Sequence, residues 1–509
     1  MISIQSARKW HLLLVWPALA CILIYTLSAL THPLMAWTGP QAEKRFPPKL
    51  TIESDGLQSV STIIKQNKLT TAKVAKFIPF KNQALLQITE DETSPRRYFS
   101  TVDFNEQLNH DEKQAVWLGE YYLSAKNIIR DIEFKTQFDT EYPAVNRLLP
   151  IYKINYDTND NLTIFIHTET QALASITNDW KRSLRKIFQL FHTFNWLDDY
   201  EILRLISTTI IVSIISLMAI TSLVFIIRIN RKNKIKDAKR RWHRRIAYVV
   251  TVPLILFSIS GTYHLLHSSL SESVSGLRLS QDLQLNDWKS IYINNEEIPT
   301  NISQISLMNI PAQLHNQLLK TPSATSNKES YAYYRISSLA NTNNETGNSL
   351  DNKNTREKRF KGAASESKVT YINADGSSDN TFDKTLDKLL VTEQAKTLLN
   401  TSEPQLEMIT HFGPKYDFRN KRLPVWMAQS ENGDRVYIDP VSQILVDRSK
   451  FSDQLEGYSF SFLHKWGLLT PILGRFNRDM LMIAVLVLTL LLSGFGVMMH
   501  LKQRTLKRA

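Results

Sequence analysis

WHLLLVWPALACILIYTLSALTH, from Trp10 to His32, and WHRRIAYVVTVPLILFSISGTYH, from Trp242 to His264, are the two stretches on which the fold turns. Each opens on Trp-His and places a second histidine twenty-one residues after the first. As helix, twenty-one residues span roughly 31 Å, against about 30 Å for a bilayer's hydrocarbon core. Each stretch is therefore expected to cross a membrane with a histidine at either face. A helix turns about 100° per residue, which sets the two histidines of one helix about 60° apart on one broad face. Ionisable side chains at membrane depth are costly and point to function.

Two more apolar stretches qualify as spans, giving about 11–34, 203–227, 246–267 and 479–500. The first is read as a retained helix, since Ala18 stands three residues before Cys21 where a lipoprotein leader carries Leu. The formal charge of +13 is uneven: residues 228–245 hold ten basic residues and one acid, Asp237. With Arg8, Lys9, Lys502, Arg504, Lys507 and Arg508 these segments carry +15, leaving the rest near −2. That distribution is a topology signal and speaks against a nucleic-acid partner. It puts 1–10, 228–245 and 501–509 in the cytoplasm and the large segments 35–202 and 268–478 outside, which in a bacterial inner membrane means the periplasm. The expected fold is an α-helical membrane protein with four transmembrane helices and two periplasmic α+β domains. The Asn-, Ser-, Thr- and Lys-rich region 322–367 reads as a disordered insertion in the second.

The two halves are a tandem repeat. Tyr142, Asn146, Leu149, Pro150 and Tyr152 match Tyr416, Asn420, Leu423, Pro424 and Trp426. A strand follows in each, ending at His167 or Asp439, and twenty-five residues later stands His192 or His464. The offset between halves grows from 232 to 272, an excess close to the length of the insertion. Repeats of this kind are expected to sit about a pseudo-two-fold axis along the membrane normal, with function at their interface.

Leu423-Pro424-Val425-Trp426, Val436-Tyr437-Ile438-Asp439-Pro440 and Phe462-Leu463-His464-Lys465-Trp466, with Trp242-His243 and Ser260-Gly261, resemble the PepSY-associated transmembrane (PepSY-TM) family. The likeness covers nearly the whole chain and is sharper in the second half; the first has Ala29 for Gly261 and His167 for Asp439. The resemblance implies PepSY-like outer domains. It also implies similarity to inner-membrane, haem-containing ferric-siderophore reductases of iron acquisition.

Of twelve histidines, His110, His167, His315 and His411 fall in the outer segments and read as core or solvated residues. His267 reads as an interfacial residue. Seven remain at membrane boundaries: His11, His243 and His500 at the inner face, His32, His192, His264 and His464 at the outer. Three positions recur in both halves; His500 has no twin, because Arg228 takes its place. Histidines at both faces suit two bis-histidine b haems, six-coordinate and closed to oxygen, as stepping stones for electrons. With one cysteine, neither c-type attachment nor an iron–sulfur cluster is available. The pairing of ligands is left open by the spacing. Arg204, Arg475 and Arg478 precede the second and fourth spans and are candidate propionate partners or ordinary interfacial anchors.

No triad, zincin or phosphate-loop motif occurs, and the short inner segments leave no room for a flavin or nicotinamide fold. Electrons would come from a separate reductase or quinol and leave to a periplasmic oxidant, a ferric siderophore by resemblance. The alternatives are a non-enzymatic PepSY sensor or peptidase regulator, and a metal transporter.

Overall fold

The computed structural model describes residues 3–48, 56–81, 83–228, 237–270, 276–290, 302–319, 329–339, 366–374 and 381–508. Part of the basic segment 228–245 that bears on topology, namely 229–236, lies outside the described residues, as do 322–328 and 340–365 of the expected insertion. The chain divides into two units: residues 1–40, 178–272 and 452–509 form a helical unit, and 41–177 with 273–451 form an α/β unit.

The helical unit contains α1 (Ile4–Leu13), α2 (Val15–Thr38), α3 (Asp179–Phe191), α4 (Glu201–Arg228), α5 (Ala238–Leu270), α6 (Phe451–Ser459) and α7 (Thr470–Arg508). Four of its helical stretches are long and apolar enough to cross a membrane, with α2, α4, α5 and α7 as their apolar parts. Their outward sides are apolar too: Ile206, Ile210 and Leu217 of α4 are about half exposed, as expected of surfaces that face lipid and not water. Short α3 packs on α2, and α5 packs on α4 and α7.

Two expectations change here. The first helix is not continuous: it breaks at Leu14, separating α1 from α2. Pro17 explains the break, because it has no N–H to give the Leu13 carbonyl and its ring crowds that carbonyl. The 60° relation therefore holds within unbroken α5 but not between His11 and His32. Residues 178–202 and 452–478, assigned above to the outer domains, belong to the helical unit. The apolar face of α3, with Leu184 buried and Phe188 against His32, is what ties that segment down.

The α/β unit holds three main antiparallel sheets. The four-stranded sheet comprises Ile129–Lys135, Ile151–Tyr156, Thr163–His167 and Ala172–Thr177. Its counterpart comprises Gln405–Ile409, Val425–Gln429, Arg435–Asp439 and Ile444–Ser449, with Leu277–Arg278 added at the edge. Each is accompanied by a helix, His110–Leu123 or Thr385–Leu399. The element order thus repeats, and the details repeat with it. Tyr142 and Tyr416 donate to the carbonyls of Leu148 and Arg422, at 2.8 and 3.0 Å. Leu149-Pro150 and Leu423-Pro424 are both cis.

The outer segments do not form two separate domains. A seven-stranded sheet is assembled from both halves, with Val74–Phe80 of the first pairing with Ile302–Pro311 of the second. One core seals it, including Leu57, Phe77 and Leu86 from the first half and Trp288, Ile305 and Ile336 from the second. The expected disordered insertion is also too wide. Ser330–Leu339 is an inner strand of this sheet, and Glu366–Asn373 pairs beside it. Tyr333, Tyr334 and Ile336 supply the burial that the polar flanks lack.

Candidate functional site

The histidines of the helical unit fall into matched sets. His192 follows α3 and His464 closes a π-helical turn, Phe460–His464, after α6. His192 Nδ1 meets Ser28 Oγ of α2 at 3.2 Å, and His464 Nδ1 meets Ser260 Oγ of α5 at 3.2 Å. The two serines are equivalent in the repeat and almost completely buried. Phe188 stacks on His192 and Phe460 on His464, with centroids 4.6 and 4.7 Å apart. Tyr25 and Phe257, again equivalent, contact the same imidazoles. Two residues on, Phe194 and Trp466 both take left-handed backbone angles, φ 53° and 49°. Such angles are uncommon for bulky residues, and their recurrence in both copies marks a constrained turn.

At the other end, His11 Nδ1 meets Thr221 Oγ1 of α4 at 3.0 Å, and His243 Nδ1 meets the Leu492 carbonyl of α7 at 3.2 Å. Gly496 leaves room beside His243: a Cβ there would stand 3.4 Å from its Cε1. His11 lies within electrostatic reach of His243, and His464 of both His192 and His264.

These contacts favour one tautomer. Ser28 and Ser260 spend their own protons on the carbonyls of Ile24 and Leu256, both at 2.7 Å. Thr221 does the same toward Met218, at 2.8 Å. Each hydroxyl must then accept from the imidazole, and the Leu492 carbonyl can only accept. In all four histidines Nδ1 carries the proton and Nε2 keeps its lone pair, with no hydrogen-bond partner for Nε2 among the described residues. A histidine held through one ring nitrogen with the other left open is the arrangement of a metal ligand and its supporting shell. His500 differs: both ring nitrogens are buried without a hydrogen-bond partner among the described residues, and Trp16 meets the ring edge-on at 6.1 Å. His264 and His267 of α5 meet carboxylates of α6, Glu456 at 2.5 Å and Asp453 at 2.7 Å. His32 lies against Phe188. The donor set therefore fits haem iron, which asks the protein for two neutral imidazoles. Among the described residues no group of three or more His, Cys, Asp or Glu is placed to hold a bare metal ion.

The arginines fare differently. Arg204 is paired with Asp198. Arg478 is paired with Asp479 at 2.5 Å and donates to Thr470 at 3.0 Å, while Trp37 donates to the same Asp479 at 2.8 Å. Arg475 also has interactions within the described residues. Arg204 and Arg478 thus brace the helix ends, which argues against free propionate donors at these two positions.

Were haem held at these nitrogens, Ser28→Ala and Ser260→Ala should each weaken its retention about 10–100-fold with the histidines intact, because the serines orient the rings. Haem titration of the stripped variants measures this; unchanged affinity in both would remove the serines from the site.

In the α/β unit three of the outer histidines, His110, His167 and His315, are buried. His110 packs against Phe80 and Tyr98, His315 accepts from or donates to Tyr333 at 2.9 Å, and His411 is exposed. His167 is buried between Arg96 at 3.0 Å and Thr170 at 2.7 Å, and burial holds its pKa well below the usual value, so it stays neutral. A feature absent from the sequence reading surrounds it: a cavity of about 60 Å³, lined among others by Arg147, His167, Glu169, Asn420 and Arg422. That is room for a few waters. Burial pushes the Glu169 carboxyl up, but Arg422, Arg96 and Arg278 win and hold it far below the carboxylate range. A depressed carboxylate stabilises the fold above its unfolded pKa, and that stability is lost as pH falls through the folded one. The thermal stability of the α/β unit should therefore fall from about pH 5 downward. Glu169→Gln should flatten that acid limb; an unchanged limb would put the acid sensitivity elsewhere.

No protein-family model matches the chain, and no curated protein matches it.

Proposed function

We propose that this protein is a haem-containing, inner-membrane oxidoreductase of the PepSY-TM type. It passes electrons from a cytoplasmic reductase or quinol to a periplasmic oxidant, with a ferric siderophore as the favoured acceptor. The observation that carries the proposal is the common contact pattern of His11, His243, His192 and His464, each with a hydrogen-bond partner at Nδ1 and none at Nε2 among the described residues. Such ligand nitrogens at each membrane face are what two bis-histidine b haems require, and which outer histidines pair on one iron is left open. His500, with neither nitrogen bonded among the described residues, and His32 and His264 complete the candidate set. When bound, haem supplies a reversible one-electron couple. The chain's part is to fix imidazole orientation, keep the ligands neutral and exclude water with the stacked Phe188, Phe460 and Trp466. The acceptor step is outer-sphere: one electron takes ferric to ferrous iron, no proton needs to be placed, and the hard oxygen donors of the chelator then hold the metal less tightly.

The test is anaerobic. Dithionite-reduced protein, freed of excess reductant, is mixed with a ferric hydroxamate chelate and a ferrous-specific indicator. Haem should reoxidise with one ferrous ion trapped per electron lost. Haem that stays reduced in the presence of excess chelate would reject the acceptor assignment.

A further inference from the structure

The two outer-face histidine sets match in Ser28/Ser260, Phe188/Phe460 and His192/His464, but they part at the edge of the unit. In the second half His264 donates from Nδ1 to Glu456 Oε1 at 2.5 Å, since a carboxylate can only accept. One turn along, His267 meets Asp453 at 2.7 Å, so α5 and α6 are joined by two rungs three residues apart on each helix. The repeat offsets put Leu184 where Glu456 stands, Lys181 where Asp453 stands and Met35 where His267 stands. The first half therefore has no carboxylate at either place. Glu456 is mostly buried, and the ring it holds lies flat on Phe460, 4.2 Å between centroids and 22° from parallel; Phe460 in turn stacks on His464.

Resting on the haem reading above, we propose that Glu456 is a positioning residue that makes the outer centre served by His264 the more reducing one. Four of the other boundary histidines give their Nδ1 proton to a neutral hydroxyl or carbonyl. His264 gives its proton to an anion. A carboxylate in that place makes the opposite nitrogen a stronger donor, and a stronger donor favours ferric over ferrous iron. The chain thus breaks its own symmetry at the face where electrons must leave for a hard, oxygen-ligated ferric ion.

The experiment is a potentiometric titration of the purified, haem-loaded full chain followed in the visible α-band, for wild type, Glu456→Gln and Asp453→Asn. Glutamine keeps the shape and an accepting oxygen but removes the charge. The expected result is full haem content with one of the potentials moved positive in Glu456→Gln and no comparable move in Asp453→Asn. Loss of one haem from Glu456→Gln, with helix content unchanged by circular dichroism, supports the same role through failed positioning. Unmoved potentials at full haem content overturn the proposal. So does an equal shift in Asp453→Asn, which would reduce the effect to the loss of any nearby charge. A wild type without haem would sink the proposed function itself, an outcome separate from these.

Discussion

His464→Ala is expected to abolish one haem from the purified protein and leave the other. The imidazole is held by Ser260 on one side and Phe460 on the other, with Gly261 close enough that an added Cβ would stand 3.7 Å from Cε1. Nothing in alanine replaces the lone pair, so the loss should be of ligation and not a graded weakening. His243→Ala should remove the opposite haem, because His243 sits among α7 residues at the other end of the unit. The check is a pyridine haemochrome assay normalised to protein, with Ser260→Ala as the milder companion. Full haem in both histidine variants would take these residues out of the site.

Asp387→Ala should destabilise the α/β unit by about 3–5 kcal/mol, as expected when one member of a buried ion pair is removed. Asp387 receives Arg335 at 3.0 and 2.9 Å and also Tyr371, and the side chains of the ion pair are fully buried. Removing the carboxylate strands a guanidinium in the core of the seven-stranded sheet. Chemical denaturation of the full chain in detergent, followed by near-ultraviolet circular dichroism, reads the loss. Asp387→Asn should fall between, since it keeps the shape and one acceptor. A loss under about 1 kcal/mol, the range of an exposed pair, would mean that Arg335 is not buried and that its strand is not part of the sheet.

That second variant probes the place where the sequence misled. Arg335 lies on a strand embedded between two polar stretches, and composition averaged over the whole region hides ten residues that carry three tyrosines and an isoleucine. The joining of Val74–Phe80 to Ile302–Pro311 was equally illegible, because pairing over more than two hundred residues leaves no local periodicity. Repeat detection even worked against it by suggesting that each half closes on itself. The helices were legible for the opposite reason: hydrophobic length is a local property, and the four apolar stretches reappear as α2, α4, α5 and α7. The histidine pairs were legible through the two offsets of the repeat, which return as equivalent contacts to Ser28 and Ser260. What spacing could not give was which ring nitrogen is committed, since that depends on partners from another helix. Nor could it foresee that Asp198 and Asp479 occupy Arg204 and Arg478. The Glu456–His264 contact was readable in retrospect only as a departure from the repeat, with Leu184 at the equivalent place.

The central claim is that the histidines tied through Nδ1 hold haem iron at their free nitrogens. A reduced-minus-oxidised spectrum of the protein purified from haem-replete cells addresses it most directly. The account predicts b-type α, β and Soret bands of low-spin, bis-histidine haem, with about two haems per chain by pyridine haemochrome. A protein that carries no haem, and takes up none when haem is added, would contradict it.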